Sequence, residues 1–165
     1  MSDLIVKLYA PENDGLADWS AGEARIKQAH PAEKHKVLDF IMKNFDSPGW
    51  VSECERAFAH DPVSCFIAVK EGEIIGFSCW DATAKGFFGP LGVKAECRKY
   101  GAGRGLLKRA LFAMKEYGYA YAIIGWSAED AIPFYQKCVH AELIPDSPPE
   151  KSIYRNLAAA GWPPA

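Results

Sequence analysis

Three cations, Arg98, Lys99 and Arg104, surround three glycines at 101, 103 and 105 within the run Arg98-Lys99-Tyr100-Gly101-Ala102-Gly103-Arg104-Gly105. Glycine lets a backbone turn tightly and come close to a ligand. The run follows an apolar, β-prone stretch, Phe87 to Val93, and opens a helical pattern that reaches Tyr117. A helix start presents unpaired N–H groups and the positive end of its dipole, so it favours an anion. Arginine and lysine beside those groups add charge-assisted hydrogen bonds. The chemistry these residues suit is the binding of a phosphate-bearing ligand. A glycine-rich turn with solvated basic residues is the plainer reading of the loop by itself.

Spacing narrows the ligand. The chain contains no G-x-x-x-x-G-K-[ST] string, so a P-loop is excluded. A dinucleotide fingerprint, G-x-G-x-x-G, fails as well: counted from Gly101 its third glycine falls on Leu106, and counted from Gly103 on Lys108. That weighs against a nucleotide-dependent oxidoreductase. The pattern present is R-x-x-G-x-G, from Arg98 to Gly103.

The elements that must hold this loop can be read in order. Leu4 to Tyr9 predicts a first strand, and Pro11 to Gly15 a turn. The segment from there to Phe45 reads as helical, with Pro31 at a helix start and Val37, Leu38, Ile41, Met42 and Phe45 at helical spacing. Ser47 is placed to cap a second helix through Trp50, Val51, Cys54 and Phe58. Cys65 to Val69 and Ile74 to Trp80 predict a hairpin. Pro90 interrupts the next strand, which implies a bulge, an edge or a break in pairing. Leu106, Leu107, Ala110, Leu111 and Met114 should face the sheet, leaving Lys108, Arg109 and Lys115 as a solvated face. Tyr119 to Trp126 predicts another strand. A helix follows from Ser127, and the interior Pro133 suggests that it begins a turn later. Ala141 to Ile144 and Ser152 to Asn156 predict two short strands, and Trp162 is a residue that could dock the tail.

Composition bounds the rest. A chain of 165 residues suits one domain, residues 1–165, with a sizeable core. A net charge of −2 gives no general attraction to nucleic acid or anionic membrane, so the basic cluster is local. No apolar run is long enough to span a bilayer. Five cysteines without a C-x-x-C fit reduced thiols in a cytoplasmic protein better than disulfides or zinc, and no metal site is read. His30, His35 and His60 share no ligand-like spacing.

The R-x-x-G-x-G loop, set between a strand and a helix, resembles the acyl-CoA pyrophosphate loop of the GNAT superfamily of N-acyltransferases. The element order is similar to that family over nearly the whole chain. The resemblance implies a mixed α/β fold with a mostly antiparallel central sheet, helices on both faces, and splayed fourth and fifth strands. It implies acetyl-CoA as co-substrate, with Leu91, Gly92 and Val93 meeting the pantetheine arm as a strand meets a sheet edge. Arg98, Lys99, Tyr100, Gly101, Ala102, Gly103 and Arg104 would wrap the pyrophosphate. A second match, Ala131-Ile132-Pro133-Phe134-Tyr135, makes Tyr135 the general acid for the leaving thiolate. A phenol with an ordinary pKa of about 10 is protonated at neutral pH and can serve so.

The resemblance has gaps. The family's strand glutamate, a general base, is replaced by Phe87, its frequent asparagine by Ala128, and its Gly-Phe pair by Val139-His140. The base is therefore unassigned, with Asp81 a candidate acting directly or through water. Trp80, Phe87, Phe88 and Trp126 would wall the acceptor side. The implied reaction is acetyl transfer to a primary amine, small molecule or peptide, by direct attack, and a homodimer is compatible with it. The alternative is an acyl-CoA-binding or sensing module without turnover.

Overall fold

In a computed structural model, residues 1–158 are described. Among the described residues are eleven α-helices and strands: β1 (Ser2–Lys7), β2 (Arg25–Gln28), α1 (Lys34–Phe45), α2 (Pro48–Phe58), β3 (Cys65–Lys70), β4 (Glu73–Trp80), β5 (Phe87–Val93), α3 (Ala102–Tyr117), β6 (Tyr121–Ser127), α4 (Ile132–Val139) and β7 (Glu142–Leu143). The strands form one sheet in the order β2-β3-β4-β5-β6-β1-β7. Every neighbouring pair is antiparallel except β5 and β6, which run parallel.

Alternation along the strands builds two cores, because successive side chains leave a strand on opposite faces. Phe66 and Ala68 of β3 join the core under α3, with Leu106, Leu107, Ala110, Leu111 and Met114, and Ile75 of β4 joins them because β4 slips register against β3 there, between Ala68–Gly76 and Val69–Ile74. Cys65 and Ile67 of β3 and Phe77 and Cys79 of β4 join the core under α1 and α2, with Val37, Ile41 and Cys54. Helices thus cover both faces, as the family resemblance implies, and the Ser47 side chain caps α2 by accepting from the Trp50 N–H at 3.3 Å. α4 begins at Ile132 with proline in its first turn. That is the later start that Pro133 requires, since proline fits where the N–H has no partner.

Four expectations need correction. Arg25–Gln28 is a strand, not helix. It has one apolar residue, Ile26, so it carries no period of its own and owes its form to pairing with β3, Ile26 opposite Ala68. It shifts the splayed pair to fifth and sixth place. Ile153–Asn156 is a 3₁₀ turn, not a strand. Lys108 and Arg109 do not face solvent. Lys108 is buried and donates from Nζ to the Gly15 carbonyl at 3.2 Å. Arg109 lies between two rings, its guanidinium carbon 4.7 Å from the centre of Trp19 and 4.3 Å from that of Phe66. A strict apolar stripe misses such residues because long side chains bury their stems, and guanidinium stacks on aromatic faces. Trp162 lies outside the described residues.

β5 and β6 part company early. They pair only at Phe87 with Ile123 and Phe88 with Ile124. Just beyond, each strand slips against its other neighbour. β5 shifts register against β4 between Trp80–Phe88 and Ser78–Leu91, the stretch that holds Pro90. β6 shifts against β1 between Leu4–Ile124 and Ser2–Ser127, so Gly125 and Trp126 together face Asp3. Extra residues bend a strand and increase its twist. Two of them, at the same level of adjacent strands, open the sheet between β5 and β6.

Candidate active site

A cavity of about 500 Å³ occupies this opening. Phe88, Pro90 and Leu91 of β5 form one wall, and Ile124, Gly125 and Trp126 of β6 the other. Arg98 reaches it from the glycine-rich loop, Tyr135 from α4, Trp50 and Glu53 from α2, and Tyr154 from the C-terminal 3₁₀ turn. Beyond Phe88, the β5 edge that faces β6 has no strand partner among the described residues.

The loop is a 3₁₀ turn, Ala95–Tyr100, followed by Gly101 at φ +78°, a left-handed conformation that suits glycine. Gly101 is the N-cap of α3, and no side chain caps that end. The N–H groups of the first turn are therefore left to a ligand or to water. Arg98 and Lys99 are exposed, and Arg98 Nε donates to the Val93 carbonyl at 3.3 Å. Tyr100 lies beneath the Lys70 ammonium, 3.8 Å from the ring centre. Ala102 is buried and Arg104 half-buried.

The three glycines differ. Gly101 serves the backbone conformation. A Cβ on Gly103 would meet Val93 and Phe134 at an ordinary 3.6 Å. One on Gly105 would stand 2.8 Å from the Trp19 carbonyl oxygen, so this glycine serves packing inside the protein rather than a ligand. Of the predicted pantetheine contacts, Leu91 lines the cavity, while Gly92 and Val93 are buried, Gly92 beneath Phe45 and Phe77.

Tyr135 packs edge-on against Phe88 at 6.3 Å and Phe134 at 5.2 Å between ring centres. Burial raises its phenol well above the ordinary range, and no charged neighbour contributes to that shift. The proton is thus held firmly at neutral pH. His140 closes α4 at φ +52°, with its N–H on the Gln136 carbonyl at 3.1 Å. The helix stop that a glycine makes cheaply is kept here, by a residue that carries a side chain.

Asp81 stands elsewhere. Its two carboxylate oxygens accept from the Gly86 N–H at 2.7 Å and the Tyr119 hydroxyl at 2.8 Å, in the turn between β4 and β5. Burial, reinforced by that carboxylate, pushes the Tyr119 phenol up to about 12. Asp81 is a turn residue and does not line the cavity. Trp80 and Phe87 are buried in the sheet and do not line it either, whereas Phe88 and Trp126 do.

Glu53 is the acid that sequence reasoning missed. Its Oε1 accepts from the Thr83 hydroxyl at 2.5 Å, and burial raises its carboxyl above the usual carboxylate range. The available signal was its place three residues after Trp50, which turns it toward the same inner side of α2. The cysteines also converge: Cys54, Cys65 and Cys79 bring their Sγ atoms within 4.8 Å of one another, all buried in the core beneath α1 and α2. Cys65 and Cys79 face each other across β3 and β4.

Comparison with known proteins agrees with this architecture. Solved structures of like fold include a GCN5-related glucosamine N-acetyltransferase region of a fungal multi-domain GH3 β-N-acetylglucosaminidase, with TM-score 0.66, 18% identity, and coverage of 87% of this chain and 19% of that one. A GCN5-related N-acetyltransferase from Sphaerobacter thermophilus gives TM-score 0.67 and 19% identity, over 87% of this chain and 48% of that one. The chain therefore spans less than half the length of either. No curated protein sequence matches. Among the described residues no helix is long and apolar enough to cross a membrane. Residues 29–139, well over half of the chain, match the acetyltransferase (GNAT) family, and with a sheet that opens between two parallel strands the protein is a member of that family.

Proposed function

We propose that this protein is an N-acetyltransferase that moves an acetyl group from acetyl-CoA to a primary amine by direct attack, and that residues 1–165 form one such domain. One observation carries the reading: Leu91 and Arg98, Tyr135, and Glu53 with Trp126 all line the same cavity, in the gap between β5 and β6. The uncapped start of α3 and the three cations would take the pyrophosphate. The free β5 edge beside Leu91, Gly92 and Val93 would take the pantetheine amides as an added strand. The thioester then lies in the gap, where Tyr135 can protonate the departing sulfur. Holding donor and amine together in one cavity supplies much of the acceleration by itself. A cytoplasmic location accords with this donor.

Isothermal titration with CoA tests the donor half. Wild type should bind CoA, and Arg98→Ala should bind it about 10-fold more weakly, the value of one charge-assisted hydrogen bond. Pantetheine, which lacks the pyrophosphate, should bind both proteins alike. Equal CoA affinity in the two proteins would remove Arg98 from the pyrophosphate site.

A further inference from the structure

Among the described residues Glu53 is a carboxylate without a cation. Burial raises its pKa, the Thr83 hydroxyl lowers it, Cys54 adds a small raising influence, and no positively charged side chain acts on it. A half-buried acid in that state is held at a cost unless something positive is brought to it. Around it the cavity is aromatic. Trp50 stands one turn earlier on α2, and Trp126 and Tyr154 pack edge-on, with ring centres 5.0 Å apart. The Tyr154 ring reaches this place because Gly125 has no side chain: a Cβ there would overlap the Tyr154 hydroxyl. Burial raises the Tyr154 phenol, and Glu53 and Asp3 add to it, so the hydroxyl stays a donor beside Thr83.

Two further groups in the same wall lack partners. Trp126 Nε1 and Ser127 Oγ are buried with no hydrogen bond among the described residues, and both residues line the cavity. Both atoms are closed off, so they belong to the packing of this wall, and Tyr154, which lines the cavity, carries the hydroxyl that can donate to a ligand oxygen. The backbone here is held in an unusual form. Trp126 sits at φ +46°, a rare conformation for so large a residue. Asp3 fixes it, accepting from the Trp126 N–H at 2.8 Å on one oxygen and from the Ser152 hydroxyl at 2.5 Å on the other.

We infer that Glu53, Thr83, Trp50, Trp126 and Tyr154 form the acceptor subsite, and that it takes a compact primary ammonium with an aromatic or apolar body and one hydrogen-bonding oxygen. This rests on the acetyltransferase reading and names the acceptor class within it. Glu53 draws in the ammonium, and aromatic faces favour its charge. One ammonium is matched by one inner carboxylate. The other acid on the cavity, Asp130, is exposed. Glu53 then removes a proton from nitrogen, and its raised pKa makes it a better base for that step. The freed lone pair forms the N–C bond as the C–S bond breaks. Sulfur takes the Tyr135 proton, the second nitrogen proton restores Tyr135, and Glu53 releases its proton to water.

The test pairs wild type with Glu53→Gln, using tyramine as probe, and spermidine and glucosamine as comparisons. Tyramine binding is followed by tryptophan fluorescence, with and without CoA, and turnover by release of free CoA. Gln keeps the shape and can still accept from Thr83, and it removes a half-buried charge that has no cation. Its melting temperature at pH 7 should therefore equal or exceed that of wild type. Tyramine should bind wild type better than spermidine or glucosamine. Glu53→Gln should weaken tyramine about 10-fold and cut kcat/KM for it about 100-fold, with CoA affinity unchanged. The deficit should shrink as pH rises toward the amine's own pKa, because neutral amine then needs no base. A merely structural Glu53 would show no such rescue. Preference for spermidine, no tyramine binding to wild type, or equal tyramine affinity in both proteins would each overturn the inference. Should wild type fail to bind CoA, the donor reading falls, and the fluorescence titration still decides the acceptor subsite.

Discussion

Tyr135→Phe should lower kcat about 100-fold, the usual contribution of a positioned acid, and leave CoA affinity where it is. The substitution removes one hydroxyl and keeps the ring, so the edge-on contacts with Phe88 and Phe134 survive. The loss belongs in kcat rather than in the donor KM, because the interaction strengthens only as negative charge gathers on sulfur. Burial holds the phenol well above its ordinary range. The acid form is the one present below that raised value, so wild-type turnover should show no alkaline decline from Tyr135 near pH 10. Free-CoA release beside a CoA titration measures both effects. Equal kcat in the two proteins would dismiss Tyr135 as the acid. Intact CoA binding with no thiol released by wild type, whatever the amine, would favour a binding or sensing module.

Gly105→Ala should destabilise the protein by about 2 kcal/mol, in the range for overpacked cores, and lower the melting temperature by roughly 4–8 °C for a chain of this size. Helix propensity argues the other way, since alanine is favoured over glycine by about 1 kcal/mol inside a helix. Space decides the contest. The new methyl would stand 2.8 Å from the Trp19 carbonyl oxygen, 3.1 Å from Ala21 Cβ and 3.2 Å from Ile26 Cγ1. A backbone carbonyl cannot swing aside as a side chain can. Moving it displaces Trp19, whose ring meets Phe112 at 5.2 Å and carries the Arg109 guanidinium. Gly103→Ala is the matched control, with its nearest neighbours at 3.6 Å, and should be neutral or slightly stabilising. A melting curve for Gly105→Ala that rises with the control would show that the Trp19 turn yields freely.

The same pair of glycines shows what a sequence can carry. R-x-x-G-x-G marks the loop and its helix because each is a local pattern of backbone freedom and charge. It cannot say which glycine makes room for what, since Trp19 is brought to Gly105 only by the fold. β2 was hidden for a like reason: Arg25-Ile26-Lys27-Gln28 becomes a strand because β3 offers it an edge. Pro90 was legible as a disturbance in β5. Its counterpart in β6 was not, because Gly125-Trp126 breaks no local rule until Asp3 is seen opposite. Phe87 marked where a strand base was missing, but Glu53 comes from a helix distant in sequence and joins the cavity through tertiary packing alone.

The place of β1 in the sheet bears on how the chain reaches this structure. Ser2 lies opposite Ser127 and Leu4 opposite Leu143, so the first strand finds its neighbours near the other end of the chain. On a ribosome, β2 to β5 can assemble from residues already made, while β1 waits for β6 before it has any partner. Pairings so far apart in sequence require the closing of a very long loop, and such topologies fold slowly. During that wait β1, with Leu4 and Val6 meant for the core, is an open apolar edge, the kind of surface that chaperones shield and that aggregates recruit. Completion of the sheet, and with it of the bulge that parts β6 from β5, is therefore a late event in the life of each new molecule.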